Sequence, residues 1–193
     1  MAEPRVLAIS GSARSGSLNR RLLALAVAGA EAAGASCTGV DLRELALPIY
    51  DRDLEQERGV PASAGRLRDL FASHGGLLLA SPEYNGGLPP LLKNALDWAS
   101  RSPAGRPDLS PFRGVVAGIL SASPNSFGGV RALAQARALL AELGCVVLPA
   151  QVALARAQAA FGEDGRLLDA ERQRQVEALG AEVACWTGRA PPR

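Results

Sequence analysis

The stretch ASPEYNGGLPPLLKNALDW, residues 80–98, decides how this chain folds. It leaves the apolar run Leu77–Leu78–Leu79, turns at Pro82 and crosses Gly86–Gly87. It then enters a helix whose start is marked by Pro89 and Pro90, since a fixed φ and a missing N–H suit a first helical turn. A buried strand, a rigid turn carrying Glu83, Tyr84 and Asn85, and then a helix are the parts from which an open α/β sheet builds a ligand crevice. A second turn of the same kind, GSARSGSLNR at residues 11–20, follows the first apolar run.

Working outward, apolar runs suited to buried parallel strands recur at 5–10, 36–41, 76–81, 114–121 and 145–149. Between them lie Ala- and Leu-rich stretches of helical spacing at 18–33, 61–73, 89–100, 129–143 and 169–187. This alternation predicts a parallel sheet covered on both faces. Right-handed crossovers leave few topologies, and the strand order 2-1-3-4-5 is expected at this size. That order places a switch point between strands one and three, and the loops after those strands are the two already quoted. A single domain is expected over 1–190, with 42–60 and 103–113 as surface loops, 162–168 as a turn and Ala190–Arg193 as a mobile tail.

Composition narrows the field. The chain has 193 residues, 48% of them hydrophobic and 21% charged, which suits a globular domain with a real core. A net charge of +2, with no basic cluster interleaved with aromatics, argues against a nucleic-acid partner. The run Arg5–Ile9 is too short for a signal peptide or membrane span, so no membrane partner is expected. Cys37, Cys145 and Cys185 lie far apart without a C-x-x-C pattern and read as buried thiols of a reducing cytoplasm. His74 is the only histidine, which excludes a two-His metal motif; it is expected at the surface or at a helix cap. No metal site is expected.

The loop at 11–19 sits between a strand and a helix, where unpaired N–H groups and the helix dipole favour an anion. Gly11 and Gly16 allow close backbone approach, Ser12, Ser17 and Asn19 offer short donors, and Arg14 offers a charged fork suited to phosphate. From Pro4 to Ala30 there is no acidic residue, while Arg5, Arg14, Arg20 and Arg21 are all cationic. No Gly-Lys-Ser/Thr follows, so this is not a Walker loop, and G-x-G-x-x-G is absent. The plain alternative is an N-cap turn beside a surface arginine. The loop at 82–85 suits a flat ring: backbone groups of Glu83, Tyr84 and Asn85 can meet its edge, and Pro82 and Tyr84 can lie beside it. Glu83 is otherwise a solvent-facing turn carboxylate with no acid–base role. Together the loops point to a phosphorylated planar cofactor.

GSARSGSLN followed by SPEYNGGLPPLLKNALDW resembles the NAD(P)H-dependent FMN reductase family, which includes quinone, chromate and azo-dye reductases. The likeness extends through DLRELALPIYDRDLE at 41–55, the FGG turn at 127–129 and FGEDGRLLD at 161–169. It implies an α/β, flavodoxin-like three-layer sandwich with a five-stranded parallel sheet. It implies FMN phosphate at Ser12, Arg14, Ser17, the Leu18 backbone and Asn19, and the ring edge at Pro82, Glu83, Tyr84 and Asn85. A third contact maps onto Ser121, although SASPNSFGG differs there from the Gly-richer turns of the family. NADPH or NADH would be the electron donor, and a quinone, free flavin, azo compound or metal oxyanion the acceptor, in a ping-pong cycle. No catalytic side chain is implied, because flavin carries the chemistry. A homodimer or homotetramer is implied too, and the helix at 89–100, apolar around much of its circumference and carrying Trp98, is its expected interface. An electron carrier of flavodoxin type and a flavin-free regulatory protein are the competing readings. Such carriers are usually strongly acidic to dock on basic reductases, unlike this chain.

Overall fold

In a computed structural model that describes residues 3–189, the strands are β1 (Arg5–Ser10), β2 (Ser36–Asp41), β3 (Gly76–Ala80), β4 (Val116–Ala122) and β5 (Val146–Leu154). They form one parallel sheet in the order β2-β1-β3-β4-β5, as expected. The helices are α1 (Leu18–Ala32), α2 (Arg52–Arg58), α3 (Ala62–Ser73), α4 (Pro90–Ala99), α5 (Val130–Glu142) and α6 (Ala170–Arg189). A single 3-10 turn covers Ala157–Ala159. The tail expected at Ala190–Arg193 lies outside the described residues.

The period of two along buried strands divides the core into two halves. Val6, Ala8, Leu78, Ala80 and Leu120 face α1 and α6, while Leu7, Ile9, Leu77, Leu79 and Ile119 face α3, α4 and α5. On the first face two helices touch through their backbones. A Cβ added at Gly29 would fall 2.0 Å from the Glu177 carbonyl oxygen, and one at Gly180 would fall 1.8 Å from that of Ala26. Any larger side chain at this crossing would drive α1 and α6 apart.

Several expectations are corrected. The segment 42–60, read as a surface loop, contains α2. Its Asp51 cap accepts from the Asp53 and Leu54 N–H groups, and Gly59 follows its end. The same segment is tied to α4: the Pro48 carbonyl accepts from Asn94 Nδ2 and Trp98 Nε1, both at 2.8 Å, and Tyr50 N donates to Asn94 Oδ1. Glu55, buried, takes a two-pronged ion pair from Arg101 at 2.7 and 2.9 Å. Trp98 is therefore fully buried against Tyr50, ring edge to face at 5.0 Å, and offers no surface to another subunit. The helix is apolar over so much of its circumference because the sheet covers one side and 48–50 the other.

Of the thiols expected to be buried only Cys145 is, Cys37 being half-buried and Cys185 exposed. Of the two places expected for His74 the helix cap is the one it takes, and the residue is buried there. As the C-cap of α3 its Nδ1 meets the Leu70 carbonyl oxygen, while Nε2 meets Thr38 Oγ1, each at 2.8 Å. Strand β5 runs on past Pro149, with a bulge where Ala117 pairs with Val147 but Ile119 pairs with Gln151. It is an edge strand, so a residue that cannot donate is tolerated there. Among the described residues no helix is long and apolar enough to cross a membrane, and no cluster of potential metal ligands occurs.

Candidate functional site

The switch point lies where the order demands, at the carboxyl ends of β1 and β3. The Gly11 N–H donates to the Ala80 carbonyl and carries the sheet one residue further. A side chain at Gly11 would press on Leu92 at 3.2 Å, so the first loop leaves the sheet flush against α4. Short local bonds then shape it: Ser12 N–H to Ser10 Oγ, Arg14 N–H to Ser12 Oγ, and Arg20 N–H to Ser17 Oγ. Ser17 is thus the N-cap of α1. The N–H groups of Leu18 and Asn19, in the first turn, have no intrahelical acceptor and point at whatever lies beyond the helix end. Arg14 is exposed and, among the described residues, has no acidic partner, whereas Arg20 is paired with Asp41 at 2.6 Å. Arg43 reaches the loop as well, donating to the Ala13 carbonyl at 2.7 Å.

Asn19 does a second job. Its side chain is buried and bonded twice to the end of β4, donating to the Ala122 carbonyl at 2.8 Å and accepting from the Ala122 N–H at 2.9 Å. Its backbone N–H, in the first turn of α1, stays available to a ligand.

The second loop folds back on itself. Tyr84 and Gly87 exchange both backbone hydrogen bonds around Asn85 and Gly86, whose φ values of 52° and 80° are left-handed. Asn-Gly is the pair such a turn selects. Asn85 therefore sits at an exposed tip for conformational reasons. Glu83, read as solvent-facing, is instead the anchor: its carboxylate is 2% exposed and bound to the Arg131 guanidinium and to the first turn of α5. The Arg131 hydrogen bond holds its carboxyl below the usual range, despite burial acting the other way.

Between the loops lies a cleft of about 220 Å³. Ser12, Arg14, Ser17, Leu18, Asn19, Pro82, Glu83 and Tyr84 line it, joined by Ala122, Ser123 and Pro124 from the loop after β4. Asn85 and Ser121 do not. Ser121 is fully buried with an unpaired hydroxyl, directed at Gly129 on the α5 side; a Cβ at Gly129 would fall 1.9 Å from that oxygen. A shift of one residue along a strand reverses the face. The cleft is reached from the α1 side, so the wall begins at Ala122. Strand parity, applied to Leu120 and Ala122, is the signal that would have found it.

The cleft has a polar end with free N–H groups and one unpaired arginine, and an end walled by proline and tyrosine. Its only lining carboxylate is neutralised by Arg131. That donor set fits a phosphate joined to a flat ring, and thus FMN. Fold and site together define a doubly wound α/β protein of flavodoxin type, with a nucleotide crevice at its switch point.

Comparison with known proteins narrows this class. The family model for NADPH-dependent FMN reductase matches residues 4–159. An NAD(P)H-dependent FMN reductase of Pseudomonas aeruginosa is 37% identical over 96% of both chains. A quinone reductase of Escherichia coli is 34% identical over 75% of this chain and 73% of its own. The flavoenzyme NAD(P)H:acceptor oxidoreductase FerB of Paracoccus denitrificans shares the fold with a TM-score of 0.78 and 27% identity, over 96% of this chain and 98% of FerB. The chain belongs to the NADPH-dependent FMN reductase family. It is an oxidoreductase that uses FMN and NAD(P)H.

Proposed function

We propose that this enzyme passes electrons from NAD(P)H to a quinone-type acceptor, and that donor and acceptor take turns at the open side of the cleft beside Tyr84. One observation carries the reading: the cleft's lining residues include no histidine, cysteine or lysine, and their one carboxylate is ion-paired, which leaves, of groups able to act as acid or base, only the exposed Tyr84 phenol without a partner. Among its lining residues the ionisable groups are Arg14, Glu83 and Tyr84, and Glu83 is locked by Arg131. Such walls bind and orient. FMN, when bound, supplies the redox chemistry by accepting hydride and passing the electrons on.

The backbone N–H groups of Leu18 and Asn19, the hydroxyls of Ser12 and Ser17 and the Arg14 guanidinium would hold the phosphate. Pro82, backbone groups of Glu83 and Tyr84, and Ala122–Pro124 would hold the ring. Tyr84, 45% exposed, then borders the face open to solvent. One such face cannot take two planar substrates together, so the nucleotide product would leave before the acceptor enters. The relatives named quinone reductase support this acceptor class. A steady-state grid of NADPH against a benzoquinone tests the reading. Parallel double-reciprocal lines are expected, and intersecting lines would overturn the alternating use of one face. The homo-oligomer implied by the resemblance keeps its own test, size-exclusion chromatography with light scattering. An interface on α4 would have to use Leu91 rather than Trp98.

A further inference from the structure

The first turn of α5 has no cap of its own. Gly129 stands at its N-cap position in a left-handed conformation with φ 85° and has no side chain to accept the free N–H groups. The acceptor comes from another loop, 48 residues earlier in the sequence: Glu83 Oε2 takes the Arg131 N–H at 3.1 Å and the Ala132 N–H at 3.4 Å. Glu83 Oε1 meanwhile accepts from Arg131 Nε at 2.8 Å and from Nη2. One turn further along α5, Gln135 accepts from the Leu88 N–H and donates to the Gly86 carbonyl. The helix thus staples the loop 83–88 at both ends.

The same helix follows the residues that form the cleft's third wall, Ala122–Pro124, after the short turn at 125–129. Gly129 is the packing point between them, in contact with Ser121 below, and a Cβ there would lie 3.7 Å from Glu83 Cβ. We propose that Glu83 is a positioning residue: by capping α5 from a separate loop and gripping Arg131, it sets the separation of the two loops between which the flavin ring is held. Its carboxylate oxygens are spent on the Arg131 side chain and the N–H groups of Arg131 and Ala132. The proposal rests on the reading that FMN occupies this cleft.

The discriminating feature is what the clamp acts on. A spacing of ring walls affects FMN and riboflavin alike, whereas the phosphate loop affects FMN alone. The full-length protein, freed of flavin, is titrated with each ligand by fluorescence quenching, well below the melting temperature of every variant. Glu83→Gln is expected to weaken both ligands by the same factor, on the order of tenfold, the scale of one charge-assisted hydrogen bond. Arg131→Gln is expected to weaken both by less, because the carboxylate still caps α5. Unchanged affinities with only a lowered melting temperature would make Glu83 merely structural and overturn the proposal. So would a loss confined to FMN. Should Glu83→Gln not fold, Arg131→Gln decides alone, since that side chain is 57% exposed and its loss leaves the caps in place; unchanged binding of both flavins then overturns the clamp. Wild-type protein that binds neither flavin would overturn the reading of the cleft and this proposal with it, whereas normal wild-type binding beside unaffected variants overturns the clamp only.

Discussion

The two walls of the cleft are held in different ways. The wall at 11–19 is shaped chiefly by bonds between near neighbours in sequence, from Ser10 to Ser12, Ser12 to Arg14 and Ser17 to Arg20, with Arg43 reaching Ala13 from further away. The wall at 82–88 is braced from across the fold by Glu83, Arg131 and Gln135, over separations of 48 and 49 residues. The difference follows from what each must hold. A phosphate carries enough charge to organise N–H groups around itself, so its loop can be local and partly exposed. A flat ring offers shape and a few edge groups, so its wall must be rigid beforehand. Asn19 ties the first of these walls to the third, through its paired bonds to Ala122.

The contrast can be broken most severely at Gly129. Gly129→Ala forces an alanine to φ 85° and a methyl into the Ser121 hydroxyl. Left-handed strain and overpacking together should destabilise by roughly 2–4 kcal/mol. A fall of about 5–15 °C in melting temperature by calorimetry is expected; a change under a degree would mean that this wall is not rigid. The other wall is probed by Arg14→Ala, which should raise the dissociation constant of FMN about tenfold to a hundredfold while leaving riboflavin almost unchanged. Equal losses for both ligands would assign Arg14 to the fold.

Acid should separate the walls as well. Arg131 lowers the Glu83 pKa in the folded protein, so the stabilisation from this pair is complete above the unfolded carboxyl's value, about 4.3, and is lost as pH falls through the lowered one. Riboflavin affinity should therefore be flat from neutral pH to that range and decline only below it, and Glu83→Gln should abolish the decline. An unchanged acid limb in the variant would point to another group. The smallest effect is expected at Tyr84, half exposed at the mouth. Tyr84→Ala should keep the bound flavin and shift the Michaelis constant for a quinone by about two- to tenfold. Loss of flavin reduction by NADPH in stopped flow, with FMN still bound, would give the tyrosine a chemical role.

Much of this could be read beforehand, and the failures share a cause. Runs such as Val6–Ile9 and Leu77–Ala80 are apolar at every position because both faces are covered, and the two Gly-rich turns follow them at the switch point. The helix at 52–58 was hidden by Pro48 and mixed charge, though Asp51 at its start and Gly59 after it are cap signals. Without that segment Trp98 lacks its cover, and a core residue reads as an interface. Glu83 was opaque for a related reason. Its meaning lies in Arg131, and nothing in the local spacing of either loop announces a partner 48 residues away. Ser121 is a matter of parity: its side chain faces the layer opposite to the cleft-lining Ala122.

The backbone crossing of α1 and α6 has a consequence for how the chain is made. All five strands, through Leu154, leave the ribosome before the helix ending at Arg189 that shields one of their faces. At a synthesis rate of roughly 5–20 residues per second, the lag is about 2–7 s. During it Val6, Leu78, Leu120 and the groove awaiting Gly180 face water and other nascent chains. Cellular yield of this protein would then depend on that interval, and on whatever shelters the unfinished sheet, as much as on the stability of the finished fold.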